Sequence, residues 1–306
     1  MAAVPTDDDA GAAAARRRIG RILTELREKA RTEDGKAITV EQAAQAVELA
    51  RPTMWRIEHG RDGVQLKNIY LNTLCNLYGA SDEVRKDLLD LAILSRRRGW
   101  FHPYSDVMPV GFGMYLSLEA AAEDITAYET DRVHGLMQTE DYAREMVRIP
   151  GLDGRLRDDE EVARRVQVRL RRQAILTRTS PAPVKLHWIL GEAALRHRVG
   201  TAAMTARQLD HINEHGELPN VSVRVIPFEV GLHQGVAAGP FARLRFADNT
   251  EPPTVYADGF LGILLMSKPA EVRRFDVVIT GMRSCALDEQ KSRDLIHRIA
   301  KEHLRA

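Results

Sequence analysis

The chain has 306 residues, 44% hydrophobic and 28% charged, with 44 Lys and Arg against 43 Asp and Glu. That length favours two domains over one core, and a net charge of +1 leaves no global field to draw in a polyanion. Two cysteines, Cys75 and Cys285, stand far apart in apolar contexts, which excludes a disulfide framework and points to a reducing cytoplasm. The opening "MAAVPTDDDAGAAAA" is acidic where a secretory signal is basic. The longest apolar run, "GFLGILLM", is too short to span a bilayer. The expectation is a soluble intracellular protein with no membrane partner.

Residues 1–15 read as a disordered tail of small and acidic residues. From Arg16, Ile19, Ile22, Leu23 and Leu26 make a helical stripe. Thr39 is placed to cap "VEQAAQAV", with Gln42 three residues on completing a capping box. "ARPTMWRIEHG" forms a third helix. "LKNIYLNTLCNLYG" forms a fourth, carrying Leu66, Ile69, Tyr70, Leu74 and Leu77 and stopping at Gly79. Ser81 opens a fifth that reaches about Arg98. This region, 16–98, is an all-α five-helix domain with 17 Lys and Arg against 12 Asp and Glu, which modestly favours an anionic partner.

Residues 99–115 are Pro- and Gly-punctuated and read as a linker with aromatic anchors. The second domain, 116–306, is expected to be α+β with a mostly antiparallel sheet. Helices are predicted over "LSLEAAAEDITAYE", "TEDYAREMV", "DEEVARRVQVRLRRQAIL", "TARQLDHINEH", "PAEVRRFDVVITGM" and "LDEQKSRDLIHRIAKEHL". Strands are predicted over "VKLHWIL", "VSVRVIPF", "FARLRF", "TVYAD" and "GILLM".

The third helix carries the strongest functional signal. At about 100° per residue, Ala50, Met54, Ile57 and Glu58 fall on one side and Pro52, Arg56 and His59 on the other. Arg51, Thr53 and Trp55 flank the polar side. Proline is tolerated because first-turn N–H groups lack helical partners. Two short helices joined by a tight turn, the second starting with polar side chains, is the helix-turn-helix pattern. Arg51 and Arg56 can offer two donors to guanine O6 and N7. Thr39, Pro52, Thr53, Trp55, Arg61 and Lys67 are further candidates for DNA contact.

"TVEQAAQAVELARPTMWRIEHG", followed by "LKNIYLNTLCNLYGA", resembles the Xre/Cro-type helix-turn-helix domain of bacterial regulators over residues 16–95. The resemblance implies base contacts from Arg51, Pro52, Thr53 and Arg56, and a first-helix partner, Arg27, for Glu58. It departs at Glu48, where glycine is usual, and at Ala50, where a capping serine is usual; each departure costs about 1 kcal/mol. The second region, through "YLSLEAAAEDITAYETDRVHGLMQTEDYAR", "ILGEAALRHRVG", "NVSVRVIPFEVGLHQG" and "CALDEQKSRDLI", is similar to a C-terminal domain of unknown function. That domain accompanies Xre-type, WhiJ-like regulators of filamentous soil actinobacteria. There a proline usually occupies the position of His134. The resemblance implies regulation, often with a small partner protein in an antitoxin-like arrangement.

Other constellations are weaker. His211 and His215 have the spacing of a metal pair but lack a third ligand in sequence, so they read as surface histidines, and no metal or cofactor is expected. "GLHQGVAAG" reads as a loop, with His233 and Tyr256 as guesses for pocket residues. "RRVQVRLRRQ" follows Glu160 and Glu161 and reads as a solvated, salt-bridged helix. "RRR" at 96–98 suits a helix C-terminus. The reading is a non-enzymatic, homodimeric transcription regulator on a palindromic operator, with a second domain that takes a small ligand or a small protein. The alternative is an enzyme tethered to DNA.

Overall fold

A computed structural model of the chain describes residues 7–32, 34–61, 64, 66–95, 100–109, 111–150, 154–247, 251–259 and 262–305. They divide into two compact units, the first ending at His102 and the second beginning at Pro103.

The first unit is all-α: α1 (Asp7–Lys29), α2 (Val40–Ala46), α3 (Arg51–Glu58), α4 (Asn68–Tyr78) and α5 (Asp82–Ser95). The tail reading fails from Asp7 on. Alanine has the highest helix propensity, and Ala12 and Ala15 are buried, so α1 extends nine residues ahead of Arg16. Ile19 and Leu23 of α1 meet Met54, Ile57, Leu71, Leu74 and Leu88 in one core. On α4 the stripe lies one step round from the predicted one. Leu71, Leu74, Cys75 and Tyr78 are buried, whereas Ile69 and Leu77 are exposed. Gly79 closes α4 in the left-handed region, φ 66°. The "RRR" stretch at 96–98 lies outside the described residues.

The second unit is α+β. Its elements are α6 (Phe112–Ala121), β1 (Asp124–Glu129), α7 (Glu140–Arg148), α8 (Asp159–Gln173), β2 (Lys185–Gly191), α9 (Ala193–Arg196), α10 (Ala202–His215) and β3 (Val221–Ile226). Then come α11 (Gln234–Ala238), β4 (Phe241–Arg245), β5 (Thr254–Gly259), β6 (Gly262–Met266), α12 (Pro269–Cys285) and α13 (Glu289–Arg305). One six-stranded sheet runs β3-β2-β1-β4-β5-β6. The pairings of β1 with β2 and of β2 with β3 are parallel, and the other three are antiparallel.

Three expectations are corrected here. The helix predicted over 116–129 stops at Ala121, and "DITAYE" is the central strand β1, so buried that no alternation shows in sequence. The stretch 99–115 is not a free linker: Tyr104, Val107, Met114 and Tyr115 are buried, because large apolar side chains gain by leaving water. "GLHQGVAAG" holds the short helix α11 rather than loop alone.

Strand alternation gives the sheet two distinct faces. On one, Tyr128, Ile189, Phe241 and Val255 pack beneath Val272, Ile279 and Met282 of α12. Near the sheet's other end the same face carries Asp124, whose neighbours are His187 at 3.3 Å, Arg245 at 3.0 Å and Arg243 at 3.6 Å. Burial opposes ionisation of Asp124, but His187 and Arg245 outweigh it and hold the carboxyl well below its ordinary pKa. The opposite face carries Trp188, Glu129, Tyr256 and Asp258.

Candidate functional site

On α3 the core side and the outer side are cleanly separated. Met54, Ile57 and Glu58 are buried, while Arg51, Pro52, Trp55 and Arg56 are exposed and Thr53 is half-buried. Pro52 occupies the first turn, and Ala50 caps the helix with no side-chain hydrogen bond. The turn before it holds Glu48 at φ 54°, the strained position expected from the missing glycine.

Two contacts fix α3 on α1. The guanidinium of Arg27 donates to both carboxylate oxygens of Glu58, Nε to Oε1 at 2.6 Å and Nη2 to Oε2 at 3.1 Å, and a third donor reaches the Ile38 carbonyl at 3.2 Å. The pair is enclosed, with side-chain exposures of 13% and 2%, so its charges attract with little screening. The Glu58 bond raises the Arg27 pKa. Gly20 supplies the second contact. A Cβ there would stand 2.4 Å from the Glu58 carbonyl oxygen and 2.7 Å from that of Ile57, so only glycine lets α1 approach the end of α3 this closely.

The other candidates have local engagements. Arg51 pairs with Glu41 at 2.6 Å, an exposed bridge that contributes little and leaves Arg51 exchangeable. Trp55 stacks on His59, with ring centroids 4.1 Å apart, and Arg61 lies 5.9 Å over the indole. Thr39 and Gln42 form the capping box of α2. Lys67 caps α4 and sits over the Tyr70 ring. The Arg56 side chain has no hydrogen-bond or ion-pair partner among the described residues, although its carbonyl accepts from the Arg61 N–H at 2.8 Å.

The second unit holds a cavity of about 210 Å³ between the Trp188 face of the sheet and α6, α7 and α8. Its floor contains a buried charge network. Arg172 donates from Nε and Nη2 to Glu119, both at 2.8 Å, and the Tyr115 hydroxyl donates to the same carboxylate at 2.7 Å. Burial works against the Arg172 charge, and the adjacent Glu119 carboxylate more than restores it, so its pKa ends above the ordinary value. Tyr256 lines the cavity, stacked on Tyr115 with centroids 3.9 Å apart. His233 does not join it. It caps α11 and meets Tyr128 edge-on at 6.0 Å, and Tyr128 and Tyr256 project from opposite faces of the sheet. The basic stretch of α8 is only partly the solvated face expected. Arg165 pairs with Glu161 one turn away, but Arg164 reaches Asp106 and Arg172 is interior. His134, unremarked as a pocket residue in sequence, lines the cavity.

His134 is buried, and its Nδ1 accepts from the Leu136 N–H at 3.3 Å, which puts the neutral ring's proton on Nε2. Burial, and then the Arg172 charge, lower its pKa to about 4. The unfolded state, titrating near 6.5, therefore takes up a proton that the folded state refuses. This contribution to stability is complete above pH 6.5 and is lost as pH falls toward 4, to the extent of about 3 kcal/mol. The backbone φ of −58° suits proline. Urea unfolding at pH 7 and pH 4.5 is expected to show wild type losing about 2 kcal/mol more than His134→Pro; equal losses would remove His134 as the cause.

The remaining pair, His211 and His215, stands with ring centroids 3.9 Å apart, and burial with the neighbouring His215 lowers the His211 pKa to about 4. Among the described residues no helix is long and apolar enough to cross a membrane.

The five-helix unit, with α3 offered outward behind α2, defines a helix-turn-helix DNA-binding domain, and a helix-turn-helix domain family matches residues 18–88. A domain of unknown function (DUF5753) matches residues 112–298, and the chain belongs to that family. No curated protein matches the chain.

Proposed function

We propose that the protein is a sequence-specific transcription regulator of the Xre/Cro type, reading DNA through α3. The separation of faces on that helix carries the reading: Arg51, Thr53 and Arg56 stand outward while Glu58 and Gly20 lock the inner side to α1. A single small module contacts few bases, so the protein works as a homodimer on a palindromic operator in the cytoplasm. The second unit serves as an antitoxin-like binding module, taking a small ligand or small protein that biases operator affinity. Binding rather than catalysis is supported by the pairing of the carboxylates there: Glu129, which lines the cavity, is engaged by Arg132, and Glu119, behind Arg172, is engaged by that arginine and Tyr115, so neither is free to act on a substrate.

Arg56 tests the DNA reading. If it reads a guanine, Arg56→Ala costs about 1–3 kcal/mol on the operator, spares non-specific duplex, and relaxes discrimination at one base per half-site. A phosphate contact would instead weaken all sequences alike and reduce the salt slope by about one. Titration of operator and scrambled duplex at several salt concentrations separates the two. No loss on either duplex would leave Arg56 a solvated charge and overturn its role.

A further inference from the structure

We propose that the cavity of the second unit is the receptor site for a small monoanionic ring acid, whose carboxylate pairs with Arg169 and whose ring lies among the aromatic and aliphatic walls. The inference rests on the second unit being a binding module, and it names the ligand's chemistry.

The arginines around the cavity are unevenly paired with carboxylates. Four arginines line it: Arg132, Arg165, Arg169 and Arg172. Arg172 is matched by Glu119, and Arg132 by Glu129 at 3.1 Å with Asp258 at 4.0 Å. Arg165 shares Glu161 with Arg155 and Arg157. Arg169 has no carboxylate among the described residues. Its Nη1 donates to the neutral Oε1 of Gln138 at 2.5 Å, and Gln138 is itself fixed by donating to the Val133 carbonyl at 2.7 Å. Removal from water, then the nearby charges of Arg172, Arg132 and Arg165, lower the Arg169 pKa to about 10, so it stays protonated at neutral pH while carrying uncompensated positive charge. A half-buried guanidinium whose described partner is a neutral amide gains from an arriving counter-charge. Its planar fork matches a carboxylate.

The walls set the rest of the ligand. Phe112, Tyr256, Val133, Met146, Val147 and Val168 supply apolar surface around the arginines. A dry cavity of about 150 Å³ holds benzene, so about 210 Å³ scales to roughly eight non-hydrogen atoms. An arginine without a carboxylate partner among the described residues, able to donate twice, and room for one ring describe an aromatic or alicyclic carboxylic acid. Inorganic phosphate lacks the ring that these walls would cover.

The test is isothermal titration of the full-length protein with benzoate, with benzamide as its neutral isostere and with inorganic phosphate. Wild type, Arg169→Gln and Arg169→Lys are compared. Benzoate is expected to bind saturably, and benzamide and phosphate at least about tenfold more weakly. Arg169→Gln is expected to weaken benzoate at least about tenfold without lowering the thermal midpoint of the unliganded protein, while Arg169→Lys retains part of the affinity. No saturable benzoate binding to folded wild type overturns the proposal. So does equal binding of benzamide or phosphate, or an unaltered benzoate affinity in Arg169→Gln. Anisotropy with operator duplex is read alongside. Benzoate binding without any duplex binding supports the cavity proposal and overturns the regulator reading alone; duplex binding without benzoate binding does the reverse.

Discussion

Glu119→Ala is expected to destabilise the second unit by about 4 kcal/mol, the largest effect of any single substitution considered for this protein. The carboxylate is 1% exposed and accepts three hydrogen bonds, two from Arg172 and one from Tyr115. Removing it strands a guanidinium that is itself only 8% exposed, in the wall of the cavity. The cost arises from the unpaired charge rather than from the pair's net worth. Replacing both partners with methionine should therefore recover much of the loss. Hydrogen exchange followed by peptide distinguishes the units: faster exchange is expected in α6, α8 and β1, with the helices before His102 unaffected. If Glu119→Ala and the double replacement lose equal stability, the argument from stranded charge fails.

In the first unit, Glu58→Ala and Arg27→Ala are each expected to cost about 3 kcal/mol, and the double variant far less than their sum. Arg27 joins α1 both to α3, through Glu58, and to the segment before α2, through the Ile38 carbonyl. Its loss should loosen α3 relative to α2 and weaken operator binding, with no DNA contact removed. Urea unfolding of the four members of the cycle supplies the coupling energy. Additive effects below about 1 kcal/mol would show that the two charges contribute independently.

The first unit was largely legible in sequence because its information is local. Thr39 and Gln42 make a capping box within four residues, Gly79 ends its own helix, and Pro52 marks a helix start. The α4 stripe was misread because leucine and isoleucine surround that helix, leaving periodicity to choose between overlapping faces. β1 was missed for a related reason: Ala127 and Tyr128 are both buried although they face opposite ways, so burial removes the period-two signal, and the preceding alanines favour helix. The cavity was the least legible part. Glu119, His134, Arg172 and Tyr256 come together only through the sheet order and the packing of α6 and α8 upon it. In sequence, Arg172 cannot be told from the solvent-facing arginines beside it on α8. His233 and Tyr256 look equivalent until strand register assigns them to different sides.

The close crossing at Gly20 also bears on how such a protein changes its target. The position of α3 is held by backbone carbonyls against a glycine and by a carboxylate on the inner side, and none of these atoms belongs to the outward residues at 53, 55 and 56. Reading side chains can therefore be exchanged without retuning the helix that presents them. A library randomised at those three positions should remain folded and yield new operator preferences, whereas one that varies position 20 should collapse to glycine under selection for folding alone. The geometry separates the problem of standing in the groove from that of choosing a sequence, so duplicated copies could diverge in target while keeping one scaffold.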